Sequence, residues 1–199
     1  MAPRGRLISV EGIDGAGKTT LAEALARALP GLTVLREPGG VAVSERIRDL
    51  VHDPALHVEP HAEALLYAAA RAQLVGELLR PLLDEGRDVL LDRFTDSSLA
   101  YQGAGRELGQ EEIAALNRFA TGGLVPDLTL YVRVDPDLGA ERRDGGDRLE
   151  QSGAAFFARV VAAYDALAAG EPQRIAVLDG AQPPDRVLAA ALEAMKRLQ

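Results

Sequence analysis

The stretch Gly12-Ile13-Asp14-Gly15-Ala16-Gly17-Lys18-Thr19 follows almost directly on the apolar run Leu7-Ile8-Ser9-Val10. A glycine, four residues, then Gly-Lys-Thr is the spacing of a phosphate-binding loop, G-x4-G-K-[ST]. Glycines at 12, 15 and 17 let the backbone curl until its N–H groups converge on phosphate oxygens, and the helix that follows adds the positive end of its dipole. Lys18 supplies a mobile cation for the β- and γ-phosphates of a nucleoside triphosphate, and the Thr19 hydroxyl is placed for Mg²⁺. A glycine-rich turn into a helix would explain the glycines but not Lys-Thr at that offset. Ile13, Asp14, Ala16 and Thr20 complete the stretch expected to wrap the phosphates of ATP or GTP.

Such a loop needs a strand before it and a helix behind it, and the chain repeats that alternation. Short apolar runs at 6–11, 32–37, 88–92, 128–134 and 174–179 have the continuous character of strands buried on both faces. Between them, helices are predicted over 18–29, 42–52, 60–85, 110–121, 154–169 and 184–198, with a helical turn at 135–141 opening at Asp135-Pro136. The expected fold is therefore α/β: a three-layer P-loop NTPase architecture, with a five-stranded parallel sheet flanked by helices joined by right-handed crossovers. No linker or repeat interrupts residues 1–199, which read as one domain. Residues 141–153, ERRDGGDRLEQSG, are almost wholly polar and carry three arginines; they read either as a surface loop or as a lid closing on a charged ligand.

Composition narrows the function. The net charge of −8 argues against a grip on duplex nucleic acid, and the absence of cysteine excludes disulfides and thiolate metal sites. His52, His57 and His61 cluster in sequence without a completing ligand pattern, so a solvated loop is the better reading than a metal site. No apolar run is long enough to cross a membrane, and a cytoplasmic location is expected. The Asn-Lys-x-Asp clamp of regulatory GTPases is missing. Transfer of a phosphoryl group to a small molecule remains, and it requires an acceptor pocket.

In an open α/β sheet that pocket lies beyond the carboxyl ends of the strands. Those ends carry Arg36-Glu37-Pro38-Gly39-Gly40 after the second strand and DRFTDSSLAYQG (92–103) after the third; LLYAAARAQLV (65–75) lies on the helix between them. Asp92 is the natural carboxylate for Mg²⁺, and Arg93 can fork onto a phosphate. Tyr67 and Arg71 share a helix face; on spacing alone, a core tyrosine with a snorkelling arginine is the stronger reading.

These blocks, in this order behind EGIDGAGKTT and followed by GLVPDLTLYVRVDP and DRLEQ, resemble the bacterial thymidylate kinases over Arg6 to about Gln182. The resemblance implies ATP as phosphoryl donor with Mg²⁺, dTMP as acceptor and a homodimer. It implies that Tyr67, where the family usually has Phe, stacks on the base beside Arg71. Arg48, Ser98 and Gln102 resemble contacts to the base edge, and Tyr101 resembles the residue that fills the space of a ribose 2′-OH. Asp14 resembles the carboxylate at the sugar 3′-OH, while Glu37, held by Pro38, orders the same pocket. For Ser98 and Glu37, turn and capping roles fit nearly as well. Arg93 would hold the dTMP phosphate.

Some relatives carry an arginine directly after the loop Asp, where this chain has Gly15. The resemblance implies that a lid arginine replaces it, from among Arg142, Arg143 and Arg148, with Arg148 in DRLE the expected catalytic residue. The 60–85 helix carries an apolar band wider than one seam, which fits either burial against neighbouring helices or a subunit interface. Another nucleoside monophosphate or deoxynucleoside kinase, and an inactive nucleotide-binding module, are the alternative readings.

Overall fold

The computed structural model describes residues 3–142 and 148–198. Five parallel strands form one sheet: β1 (Leu7–Glu11), β2 (Thr33–Arg36), β3 (Val89–Asp92), β4 (Leu128–Arg133) and β5 (Ile175–Asp179), in the order β2-β3-β1-β4-β5. The expected three-layer α/β architecture is thus present. Alternation along β1 sends Leu7 into one core and Ile8 into another. The first gathers Leu74, Leu79 and Leu83 around Leu7, Val89 and Leu91; the second joins β1 and β4 to helices α1 (Lys18–Ala28), α8 (Ala154–Gly170) and α9 (Pro184–Met195).

Register decides where the site lies. Val10 and Arg36 both pair with Asp92, and Glu11 pairs with Tyr131, so the carboxyl ends of four strands share one rim. The phosphate loop leaves that rim from β1, Glu37 from β2 and Arg93 from β3. Helix α2 (Ala42–His52) and α3 (Pro60–Leu74) wall the rim on the β2 side.

Two elements differ from expectation. The predicted 60–85 helix runs as α3, a π-helical stretch Val75–Leu79 and α4 (Arg80–Asp84). The wider turn sits just ahead of Pro81, which has no N–H to give to a preceding carbonyl. No helix is predicted over residues 95–105, yet α5 (Thr95–Ser98) continues there into a π-helical stretch Leu99–Gly105. Its glycines disguise it. A Cβ at Gly105 would lie 2.6 Å from the Phe156 ring, so the glycine reflects close packing on α8 and not a break. Helix α6 (Gln110–Thr121) and α7 (Pro136–Glu141), the latter capped by Asp135 at the Asp137 N–H, follow the prediction. No described helix is long and apolar enough to cross a membrane.

Candidate active site

The phosphate loop is bent by glycine and braced by its own carbonyls. Gly17 is left-handed at φ 93 and opens directly into α1, so the N–H groups of that helix start face outward. Lys18, 7% exposed, donates from Nζ to the Ile13 carbonyl at 2.9 Å and stands 3.7 Å from Asp14 Oδ1. Asp14 to Thr20 line a cleft of about 490 Å³ together with Arg142, Gly180, Gln182, Pro184 and Val187. Gly12 and Ile13 lie behind that cleft: the Gly12 carbonyl accepts from Arg93 Nη1 at 3.0 Å, and Ile13 is buried. Gly15 could not carry the arginine of other relatives. It sits at φ 80, and a Cβ there would be 2.3 Å from the Gly139 carbonyl oxygen.

A second cleft, of about 680 Å³, opens on the other side of the loop. All ten residues expected around the acceptor line it: Asp14, Glu37, Pro38, Arg48, Tyr67, Arg71, Arg93, Ser98, Tyr101 and Gln102. Asp14, Lys18 and Thr19 wall both clefts, so the two cavities meet at these three side chains.

Arg93 is the hinge of the second cleft. Its backbone is left-handed at φ 69, held by its N–H to Val10 O and by the Phe94 N–H to Glu11 Oε1 at 2.7 Å. From there its guanidinium lies 4.9 Å from the Tyr101 ring centroid and closes onto Asp14, which also accepts from the Tyr101 hydroxyl at 3.0 Å. Burial pushes the Asp14 carboxyl up, but Arg93 and Lys18 beside it prevail and hold it below the usual carboxylate range. Burial and the Arg93 cation push the Lys18 ammonium down.

Arg71, 2% exposed, is fixed before any ligand arrives. Four of its N–H groups go to Glu37, Ser98 Oγ, Asn117 Oδ1 and the Phe94 carbonyl. Glu37 Oε2 accepts from Arg71 Nε at 2.7 Å while Oε1 is buried without a partner among the described residues, and burial pushes this carboxyl up to about 7 against the pull of Arg71. The Glu37–Pro38 peptide is cis, and the Pro38 carbonyl accepts from Arg48 Nη1 at 3.1 Å.

The lid residues divide. Arg142 lines the first cleft and donates to the Gly180 carbonyl at 2.9 Å. Arg143 lies outside the described residues. Arg148, expected at the migrating phosphoryl group, lines neither cleft; its guanidinium goes to Glu63 Oε2 at 2.7 Å and to the Val51 carbonyl at 3.1 Å. The fully buried Glu63, one turn before Tyr67 on α3, holds Arg148 by an ion pair.

Comparison with known proteins agrees with this geometry. The family model described as thymidylate kinase matches residues 10–191. The thymidylate kinase of Deinococcus radiodurans is 49% identical, over 92% of this chain and 93% of its own. That of Lactobacillus delbrueckii subsp. bulgaricus is 45% identical, over 97% and 96%. The crystal structure of thymidylate kinase from Ehrlichia chaffeensis superposes with a TM-score of 0.78 at 30% identity, covering 99% of this chain and all of that one.

The chain belongs to the thymidylate kinase family.

Thymidylate kinases act on nucleotides, generally with a divalent metal, and the residues here fit a cation: Asp92 Oδ1 is buried without a partner among the described residues, and Asp92 and Thr19 both line the second cleft. Reading the sequence missed Glu11, Glu63, Ser97 and Asn117. Ser97 lies within DRFTDSSLAYQG, and Glu63 shares the α3 face of Tyr67 and Arg71 at four-residue steps, so both leave a trace in the sequence. Asn117 on α6 gave no signal at all.

Proposed function

We propose that this chain moves the γ-phosphoryl group of MgATP directly onto the phosphate of dTMP, giving ADP and dTDP. One observation carries the reading: Asp14, Lys18 and Thr19 wall the donor and acceptor clefts at once. A phosphorus atom can then pass between them without a carrier on the protein.

Each residue's part follows from its chemistry. Lys18 and the loop N–H groups bind the donor phosphates, and Arg93 neutralises charge shared between donor and acceptor phosphates. Asp92 and Thr19 would hold the Mg²⁺ that accompanies ATP, which offsets phosphate charge. Tyr67 stacks on the base while Arg48, Arg71, Ser98 and Gln102 meet its edges. Tyr101 crowds the sugar's 2′ side, and Asp14 faces its 3′ side. Arg142 supplies the lid cation on the donor side, and Arg148 acts on the acceptor wall. The acceptor phosphate is already ionised at neutral pH, so no general base is required.

We further propose a homodimer built on α3 and α6. Leu65 is 59% exposed and Phe119 89% exposed on these two packed helices, apolar surface whose cover by a second copy would be favourable. A cytoplasmic setting fits an enzyme of this kind.

The test is a panel of dTMP, dUMP, UMP, CMP, AMP and GMP with MgATP, reading ADP formation. dTMP is expected to give the highest kcat/KM. Faster turnover of AMP or GMP would assign the acceptor cleft to another nucleotide, and no turnover with any of them would leave a binding module.

A further inference from the structure

We propose that Glu63 is a positioning residue for base selection: it fixes the Gln102 amide so that Oε1 faces the acceptor cleft, which then takes a pyrimidine carrying an N3–H. The proposal rests on the dTMP reading of that cleft.

Glu63 sits on α3 with no exposed surface. Its Oε1 accepts from Gln102 Nε2 at 2.8 Å and from Arg106 Nε at 3.3 Å. Its Oε2 accepts from Arg106 Nη2 at 3.1 Å and from Arg148 Nη2 at 2.7 Å. A carboxylate between two guanidinium groups can only accept, whereas an amide has one donating end and one accepting end. The carboxylate therefore takes the NH₂ end of Gln102, and the carbonyl end is left over. Gln102 is 3% exposed and lines the cleft; among the described residues nothing donates to its Oε1, yet that oxygen is not one of the buried unpartnered atoms. It opens on the cavity as an acceptor.

Thymine and uracil present N3–H to such an oxygen. Cytosine presents a bare N3, and two acceptors facing each other without a proton leave both unpaired in a dry site. Arg148 and Arg106 hold Glu63 from two other segments, so the lid's return limb and the 99–105 helix meet on the carboxylate that orients the amide.

Glu63→Gln is the informative variant. It keeps the volume, but its own amide can offer either end, which frees Gln102 to turn over. The kcat/KM ratio of dTMP to dCMP should fall about tenfold or more, chiefly through a gain with dCMP. Arg106→Gln removes an ion pair from the same carboxylate but spares the Gln102 bond, and should leave that ratio where it is; thermal melting checks both folds. Should Glu63→Gln not fold, side-chain amide exchange in the wild-type protein decides: the Gln102 NH₂ hydrogens should exchange slowly with and without dTMP. An unchanged ratio in folded Glu63→Gln, or fast exchange in the wild type, overturns the role of Glu63. Wild-type protein that fails to phosphorylate dTMP overturns instead the reading beneath it.

Discussion

Arg93 and Asp14 close the gap between strand β3 and the phosphate loop: the guanidinium lies on the carboxylate, with the Tyr101 ring beneath it. The contact needs the left-handed backbone of Arg93, a conformation a non-glycine residue adopts only when its surroundings enforce it. Glu11, fully buried, does so through the Phe94 N–H and the Ser97 hydroxyl, and burial beside Asp96 pushes its carboxyl up to about 7. A fork-shaped, stacked cation is required at this spot. Arg93→Lys keeps the charge and loses both features, and should lower kcat about 10²–10³-fold. Steady-state kinetics with both substrates checks it.

The two described lid arginines should separate kinetically. Arg142→Ala is expected to raise KM for ATP, because Arg142 lines the donor cleft. Arg148→Ala should raise KM for dTMP about tenfold, with a smaller change in kcat, because its partners are Glu63 and the end of α2. A fall in kcat with unchanged KM for dTMP would return Arg148 to the phosphoryl group.

Glu37 sets a pH dependence whose sign can be worked out. Its carboxyl is raised from 4.5 to about 7 in the folded protein, since burial outweighs an ion pair that reaches only one oxygen. Between those values the folded state binds more protons than the unfolded state, so this group's contribution falls as pH rises. Glu37→Gln lacks that dependence. Its Tm relative to wild type should therefore climb from pH 4.5 to pH 7, as measured by thermal melts in matched buffers. A flat difference would contradict the shift.

Phe119→Asp should convert a dimer into a monomer in sedimentation equilibrium while leaving monomer stability within about 0.5 kcal/mol, since the side chain is largely exposed in the single chain. A wild-type protein that sediments as a monomer would end the dimer proposal.

The fold was legible because its signals were local. Mostly apolar runs marked all five strands, although β2 at the sheet edge is not buried on both faces, and the loop motif fixed the first helix to the residue at Lys18. The 95–105 helix was not legible, because Gly103 and Gly105 look like breakers until Gln110 of α6 is seen against the first and Phe156 of α8 against the second. In the acceptor cleft, residues next to strand ends could be named, and the structure gathers them in one cavity. What could not be read was pairing across the chain. Nothing in the sequence says that Arg148 meets Glu63, 85 residues away, or that Asn117 braces Arg71. Such contacts are set by tertiary packing, which leaves no periodic trace.

Direct passage of phosphorus between the two clefts is best tested by a single turnover with γ-labelled ATP, with and without dTMP, in wild type and Lys18→Ala. The label should appear in dTDP alone, only when dTMP is present and not in the variant. Label retained on the protein, or released as free phosphate at the same rate without dTMP, would contradict the account.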